Sequence, residues 1–177
     1  MTTCYRRLRT ALGDVLLTSN GRALTGLYFD GQKHHPGIRP GWREDPEAAP
    51  FAQAQRELDA YARGALGRFD VPVDPQGTPF QRRVWQALLE VPCGRTITYA
   101  QLAARVGAPG AARAVGAAVG RNPVSVIVPC HRIVGADGSL TGYAGGLDRK
   151  RALLERENAL PAAAARPRSA RSPAARP

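Results

Sequence analysis

Apolar and polar residues alternate over 4–10, 14–19 and 23–29, the period of strands that bury one face. Asn20-Gly21 lies between the second and third runs, and both residues tolerate positive φ, so the spacing predicts a tight hairpin. Residues 30–49 are rich in Gly, Pro and charge and predict a surface loop. Phe51, Ala54, Leu58 and Tyr61 then recur at helical spacing, predicting an amphipathic helix over about 50–63. Arg68 to Val73 reads as a last strand at a sheet edge, because Pro72 cannot donate to a ladder.

Asp74-Pro75-Gln76-Gly77 is a turn cluster and closes a first unit at 1–77. From 78 the period becomes helical. Thr78-Pro79-Phe80-Gln81 has the capping-box form with Pro at the first helical position, and Phe80, Val84, Trp85 and Leu88 form the buried stripe behind it. Thr98-Tyr99-Ala100-Gln101 opens a second capped helix that stops near Gly107. Ala111 to Val119 predicts a third, ended by Gly120, so the two short helices make a helix-turn-helix candidate. An apolar run, 124–128, leads into Pro129-Cys130-His131-Arg132, and a Gly-rich loop covers 135–146. Leu147 and Asp148 are expected to staple and cap a last helix through about Glu157. The second unit is therefore 78–160. The tail, 161–177, holds only Pro, Ala, Arg and Ser and is expected to be disordered. The fold class is α+β, a sheet-plus-helix domain followed by an all-helical one.

Composition narrows the function classes. The 177 residues, 44% hydrophobic, suit one domain or two small ones sharing an interface. No apolar run approaches a membrane span, and the N-terminus lacks the apolar core of a signal peptide, which points to the cytoplasm. Three cysteines, Cys4, Cys93 and Cys130, make no disulfide framework, and no CxxC occurs, so no metal site is expected. The net charge of +11 is unevenly placed: +1 on residues 1–77, +6 on 78–160 and +4 on 161–177. A basic second half beside a nearly neutral first half suggests a surface that meets a polyanion.

The tetrapeptide Pro129-Cys130-His131-Arg132 carries the chemistry. A thiol attacks as its thiolate, which a base or a nearby cation favours. Cys130 follows an apolar run and a Pro, which predicts a rigid seat at the edge of the core, with His131 as base and Arg132 as positive charge beside it. Asn122-Pro123 stands eight residues before Cys130 and predicts a turn that returns an amide towards the thiol. Glu157 could hold His131 in its basic tautomer, the logic of nucleophile, base and orienter. Taken alone, the same residues also fit a buried thiol, a satisfied histidine and a surface carboxylate.

Six ordered segments change that balance: Phe80 to Trp85, Thr98 to Ala103, Ala112 to Gly116, Arg121 to Pro123, Val128 to Val134 and Gly142 to Leu147. On these the chain resembles the O6-alkylguanine-DNA alkyltransferases, suicide repair proteins of the Ada/Ogt type. The match is dense over 78–158 and looser before it, best at Gly26 to Asp30. The resemblance implies a ribonuclease-H-like sheet for the first domain. It implies irreversible transfer of the alkyl group from O6-alkylguanine in duplex DNA to Cys130, leaving O4-alkylthymine open as a second substrate. His131, through a water and oriented by Glu157, would generate the thiolate. Asn122 would buttress the turn, and Tyr99 would assist base extrusion and donate a proton to the departing guanine. Arg113 would fill the gap in the stack. Thr98, Gln101, Ala112, Ala114, Gly116 and Arg121 would meet DNA, while Val134, Tyr143, Ala144, Gly145 and Gly146 would line the guanine pocket. The partner is double-stranded DNA carrying alkylated bases, met by a free monomer; cooperative packing along DNA stays open.

Physical chemistry supports that carry-over. A base inside a duplex cannot present O6 for in-line attack and must be flipped into a pocket. The Ala and Gly residues around Arg113 allow a helix backbone to approach a narrow groove, and repair without sequence preference suits the degenerate minor groove. Cys93 stands where relatives often carry Tyr, and Ala144 replaces a common Ser or Gly, leaving substrate size open. Two other readings of the same residues are a lesion-sensing protein that transfers nothing and a cysteine hydrolase. Too few cysteines remain for a separate phosphotriester-accepting zinc domain.

Overall fold

The computed structural model describes residues 2–165. Its first half is an open sheet of β1 (Cys4–Thr10), β2 (Gly13–Ser19), β3 (Leu24–Phe29) and β4 (Arg43–Glu44), in the order β3-β2-β1-β4. The first three pair antiparallel, whereas β4 lies parallel to β1. Alternation sends Val15 and Leu17 of β2 and Leu27 and Phe29 of β3 into one core, and a register shift opposite Thr18 and Ser19 lets Leu24 join them. The helix α1 (Phe51–Ala62) closes it with the four residues its periodicity named, Phe51, Ala54, Leu58 and Tyr61.

Three expectations fail in this half. The stretch 30–49 is not all loop, since it contributes β4. Ser19 pairs with Leu24, so the hairpin loop has four residues, and of the Asn-Gly pair only Gly21 takes positive φ. The Asn20 side chain instead accepts from the backbone N–H groups of Arg22 and Ala23, an alternative open to a short polar residue. Residues 68–73 form no strand. Val73 makes a single bridge to Leu24, with Leu24 N–H donating to the Pro72 carbonyl at 2.8 Å. The β3 edge is shared: Leu27 N–H donates to Pro123 O at 2.8 Å, and Ser125 N–H donates to Leu27 O at 3.0 Å. An otherwise open sheet edge thus anchors the segment that leads to Cys130.

The second half comprises α2 (Pro79–Leu89), α3 (Tyr99–Arg105), α4 (Ala112–Gly120) and α5 (Leu147–Arg156). Both predicted capping boxes form, Thr78 with Gln81 and Thr98 with Gln101. Trp85 is core, its indole N–H donating to Ala118 O at 2.9 Å and locking α2 to α4. This half is not purely helical: β5 (Ile97–Thr98) and β6 (Ile133–Val134) pair in parallel. Two-residue strands lie below what a period can reveal. Leu147 and Asp148 supply neither staple nor cap: Gly146, at φ 89°, is the N-cap residue, and Leu147 is exposed. Asp148 still complements the dipole from the first turn. The tail expected from 161 is ordered at its start, where α6 (Ala162–Ala165) begins and Ala164 is buried. Its remainder, 166–177, lies outside the described residues. Among the described residues no helix is long and apolar enough to cross a membrane.

Candidate active site

Cys130 opens a single 3₁₀ turn, Cys130–Arg132, and is buried with the core. The connection from Asn122 to that turn is tightly held. Asn122 Nδ2 donates to Val124 O at 3.3 Å, Val128 O at 2.8 Å and Cys130 Sγ at 3.1 Å, while its Oδ1 accepts from Val124 N–H at 3.0 Å. Between them Val126 sits at φ 70°, a conformation that costs a β-branched residue roughly 1–3 kcal/mol. The Asn122 amide and the β3 edge restrain the segment on either side, so the turn returns the amide to the thiol as Asn122-Pro123 predicts.

His131 is fully buried, and its Nε2 lies 2.9 Å from Glu157 Oε1. Arg132 completes a fork on the same carboxylate, Nε to Oε2 at 2.9 Å and Nη2 to Oε1 at 2.8 Å, with Nη1 on Val91 O at 2.6 Å. Tyr61, from α1 of the sheet domain, donates its hydroxyl to Glu157 Oε1 at 2.7 Å. Burial alone would raise the Glu157 carboxyl, but the hydrogen bonds and charges of His131 and Arg132 overcome it and hold the group well below the carboxylate range. An ionised Glu157 cannot donate, so Nε2 carries the ring proton and Nδ1 is the free base. Nδ1 is buried and has no partner among the described residues. Burial, against the pull of Glu157, also lowers the His131 pKa, so the ring is neutral near pH 7 and able to accept a proton.

The cation near the thiol is not Arg132, whose charge is spent on Glu157. It is Lys150, fully buried on α5, whose ammonium donates to the carbonyls of Ile133, Thr141 at 2.7 Å and Gly142 at 3.4 Å. Burial raises the Cys130 pKa, while the Asn122 hydrogen bond and then the Lys150 charge pull it down. Burial prevails, so the resting group is a thiol that must lose its proton to react. Lys150 in turn is lowered to about 8 by burial.

A cleft of about 460 Å³ is lined by Tyr99, Gly116, Arg121, Gly142, Tyr143 and Ala144, with Lys33 and His34 from the sheet domain; no residue of the Cys130–Arg132 turn lines it. Tyr99 donates its hydroxyl to Thr141 O at 3.3 Å, and burial, eased by that bond, raises its pKa. Gly116 faces the Tyr99 ring, where a Cβ would make ordinary van der Waals contact at 3.6 Å. On α4, Arg113, Ala114 and Ala117 are exposed, whereas Val115, Ala118 and Val119 are buried against α2 and α3. A larger cavity, about 700 Å³, lies behind the turn, lined by Cys93, Pro129 and Arg132 but not by Cys130.

Two family models divide the chain: the ribonuclease-like domain of 6-O-methylguanine DNA methyltransferase over residues 3–75, and its DNA binding domain over 79–159. A methylated-DNA–protein-cysteine methyltransferase of Mycobacterium tuberculosis is 51% identical over 153 residues, 86% of this chain and 91% of the relative. The chain belongs to the 6-O-methylguanine DNA methyltransferase family. A Methanosarcina barkeri member is 45% identical over 86% of this chain and 96% of its own length. The crystal structure of Mycobacterium tuberculosis OGT in complex with DNA superposes with TM-score 0.81 at 50% identity, covering 88% of this chain and 92% of that one.

Within that family frame the predicted site residues fall into three groups. In the first, Asn122 is hydrogen-bonded to Cys130 and Glu157 to His131, two pairs joined through the Cys130-His131 backbone. Tyr99, Gly116, Arg121, Tyr143 and Ala144 share the cleft, and Arg113, Ala112 and Ala114 stand on the neighbouring α4 face. Thr98 and Gln101 are engaged in the α3 cap. Val134 is buried in β6 and lines neither cavity described above; Gly145 O accepts from Arg149 at 2.7 Å, and Gly146 caps α5. Sequence reasoning missed Tyr61 and Lys150. Tyr61 read as one more core position of an amphipathic helix, and Lys150 as one of three basic residues in Arg149-Lys150-Arg151.

Proposed function

We propose that this protein repairs alkylated DNA directly, by transferring the alkyl group from O6 of guanine to Cys130 Sγ. The observation that carries the reading is the Asn122–Cys130 contact at 3.1 Å beside a neutral His131 that Glu157 holds in its basic tautomer. His131 Nδ1 takes the thiol proton, through a water, as the lesion is engaged. The thiolate attacks the alkyl carbon, an S–C bond forms and the C–O6 bond breaks. The departing guanine takes up a proton from the Tyr99 hydroxyl, so the S–H proton is in effect exchanged for the alkyl group. Nothing in this sequence regenerates a thiolate, and each molecule acts once. Atoms and charge balance without a metal or cofactor.

DNA docking belongs to the same proposal. The pair α3 and α4 acts as the helix-turn-helix, α4 approaches from the minor groove, the damaged base is flipped into the cleft, and Arg113 fills its place in the stack. O4-alkylthymine carries the same alkyl–oxygen bond on a smaller ring, and competition between the two lesions decides whether the cleft accepts it. Incubating the protein with a duplex holding a single O6-methylguanine should add one methyl group per protein molecule and then stop. Continuing turnover, or tight binding with no gain in mass, would contradict the proposal.

A further inference from the structure

The family's DNA-binding half contains the thiol, its base and the orienting carboxylate, yet one donor to that carboxylate comes from the other half. Tyr61 on α1 is 1% exposed and reaches across the domain boundary to Glu157 Oε1 at 2.7 Å. The same oxygen accepts from Arg132 Nη2 at 2.8 Å and receives His131 Nε2 at 2.9 Å. Three donors on one oxygen leave the carboxylate no rotational freedom, and its position dictates the plane of the His131 ring. Burial and then the Glu157 charge raise the Tyr61 pKa, so the hydroxyl stays protonated and a donor near neutral pH.

We infer that Tyr61 is a positioning residue of the alkyl transfer, by which the sheet domain fixes Glu157 and through it the ring of His131. The inference rests on the reaction proposed above for Cys130. It gives the first domain a part in the chemistry beyond scaffolding. The bond also limits the pull of Glu157 on the His131 proton, because each donor on Oε1 withdraws charge from it. The other groups facing Tyr61, Glu157 and His131 are Arg132 on the turn, Lys150 on α5, Cys93 as a neutral thiol, and the buried Tyr143 hydroxyl.

Tyr61→Phe in the full chain tests the inference, with Phe69→Leu as a control. The Phe69 ring packs on Tyr61, centroids 5.3 Å apart, and its loss disturbs packing while leaving the hydroxyl in place. The first readout is the single-turnover rate of methyl transfer against pH. Tyr61→Phe should be about tenfold slower, one hydrogen bond to a charged group, with the acid limb of its profile moved to higher pH as His131 holds its proton more firmly. Phe69→Leu should melt earlier with its acid limb unmoved. A wild-type rate and limb for Tyr61→Phe would overturn the inference, as would a slower rate with the limb where the control has it. The His131 ring titration, followed by NMR without DNA, should shift upward in Tyr61→Phe. A wild-type protein that transfers no methyl would defeat the proposed reaction, while the NMR shift would still decide whether Tyr61 sets the His131 environment.

Discussion

The Cys130–Arg132 turn and the exposed face of α4 carry the two halves of the proposed repair, and they are built on opposite principles. In the turn nearly every polar group has a partner: Asn122 on the thiol, Glu157 on His131, Arg132 and Tyr61, Lys150 on three carbonyls. Its geometry is complete before any ligand arrives, as preorganised catalysis requires. On α4, Arg113, Ala114 and Ala117 are exposed, and the N-terminus has no side-chain cap. That face is shaped by what it leaves out, side-chain bulk, and acquires its contacts only from a partner. Chemistry can therefore be read from the turn alone, whereas the role of α4 needs DNA to complete it.

The sharpest way to break this contrast is to remove the charge at the centre of the turn. Glu157→Gln keeps the shape but leaves the Arg132 guanidinium buried without its counter-charge, which should cost about 3–5 kcal/mol in denaturant unfolding. Transfer should slow by roughly 10²–10⁴, the usual worth of a general base, since the amide no longer fixes the basic tautomer of His131. A loss below about 1 kcal/mol, the worth of an exposed ion pair, would mean that the turn is not held by this network.

Acid should dismantle the turn while sparing α4. Burial keeps the His131 pKa below its ordinary 6.5, so the folded chain holds the ring neutral while the unfolded chain takes up a proton. Stability should therefore decline as pH falls below about 6.5. Glu157, held below the carboxylate range, adds a second loss once the pH drops under its unfolded value of about 4.3. Melting curves across this range should show both steps, and His131→Gln should remove the first. An unchanged first step in that variant would assign it to another group.

The smallest effect on stability belongs to Arg113→Ala, expected within about 0.5 kcal/mol of the parent because the side chain is exposed. Its signature is functional: transfer from a paired lesion should slow more than transfer from a single-stranded one. A side chain that fills the stack neutralises no phosphate, so the slope of log affinity against log salt should not change. A slope reduced by about 0.9 would make Arg113 a phosphate contact instead.

The same contrast explains what the sequence could reveal. Thr78-Pro79-Phe80-Gln81 and Thr98-Tyr99-Ala100-Gln101 announced their helices because a capping box is a local rule, satisfied within four residues. Asn122 and Cys130 were paired by a short turn. Glu157 stands 26 residues from His131, and its link to Tyr61 spans 96. Neither leaves a mark in periodicity: Glu157 could be offered as an orienter but equally fitted a surface carboxylate until the resemblance favoured the first reading, and Tyr61 was hidden because a buried tyrosine also satisfies the stripe of α1. Lys150 was hidden by its charge, since a lysine between two arginines reads as solvated surface. The β5–β6 pair and the loss of the 68–73 strand depend on which backbone groups find partners across the fold.

Peptide mapping of the protein after one reaction with a duplex containing O6-methylguanine tests the central claim most directly, because three cysteines compete for the alkyl group. Burial also raises the pKa of Cys93, but Cys130 has the Asn122 hydrogen bond and His131 beside it in the chain, so the methyl should be found on Cys130 and nowhere else. In Asn122→Ala and His131→Gln it should reach Cys130 slowly rather than move to another thiol. Methylation of Cys93 or Cys4, or lesion binding that leaves all three cysteines unmodified, would contradict the account.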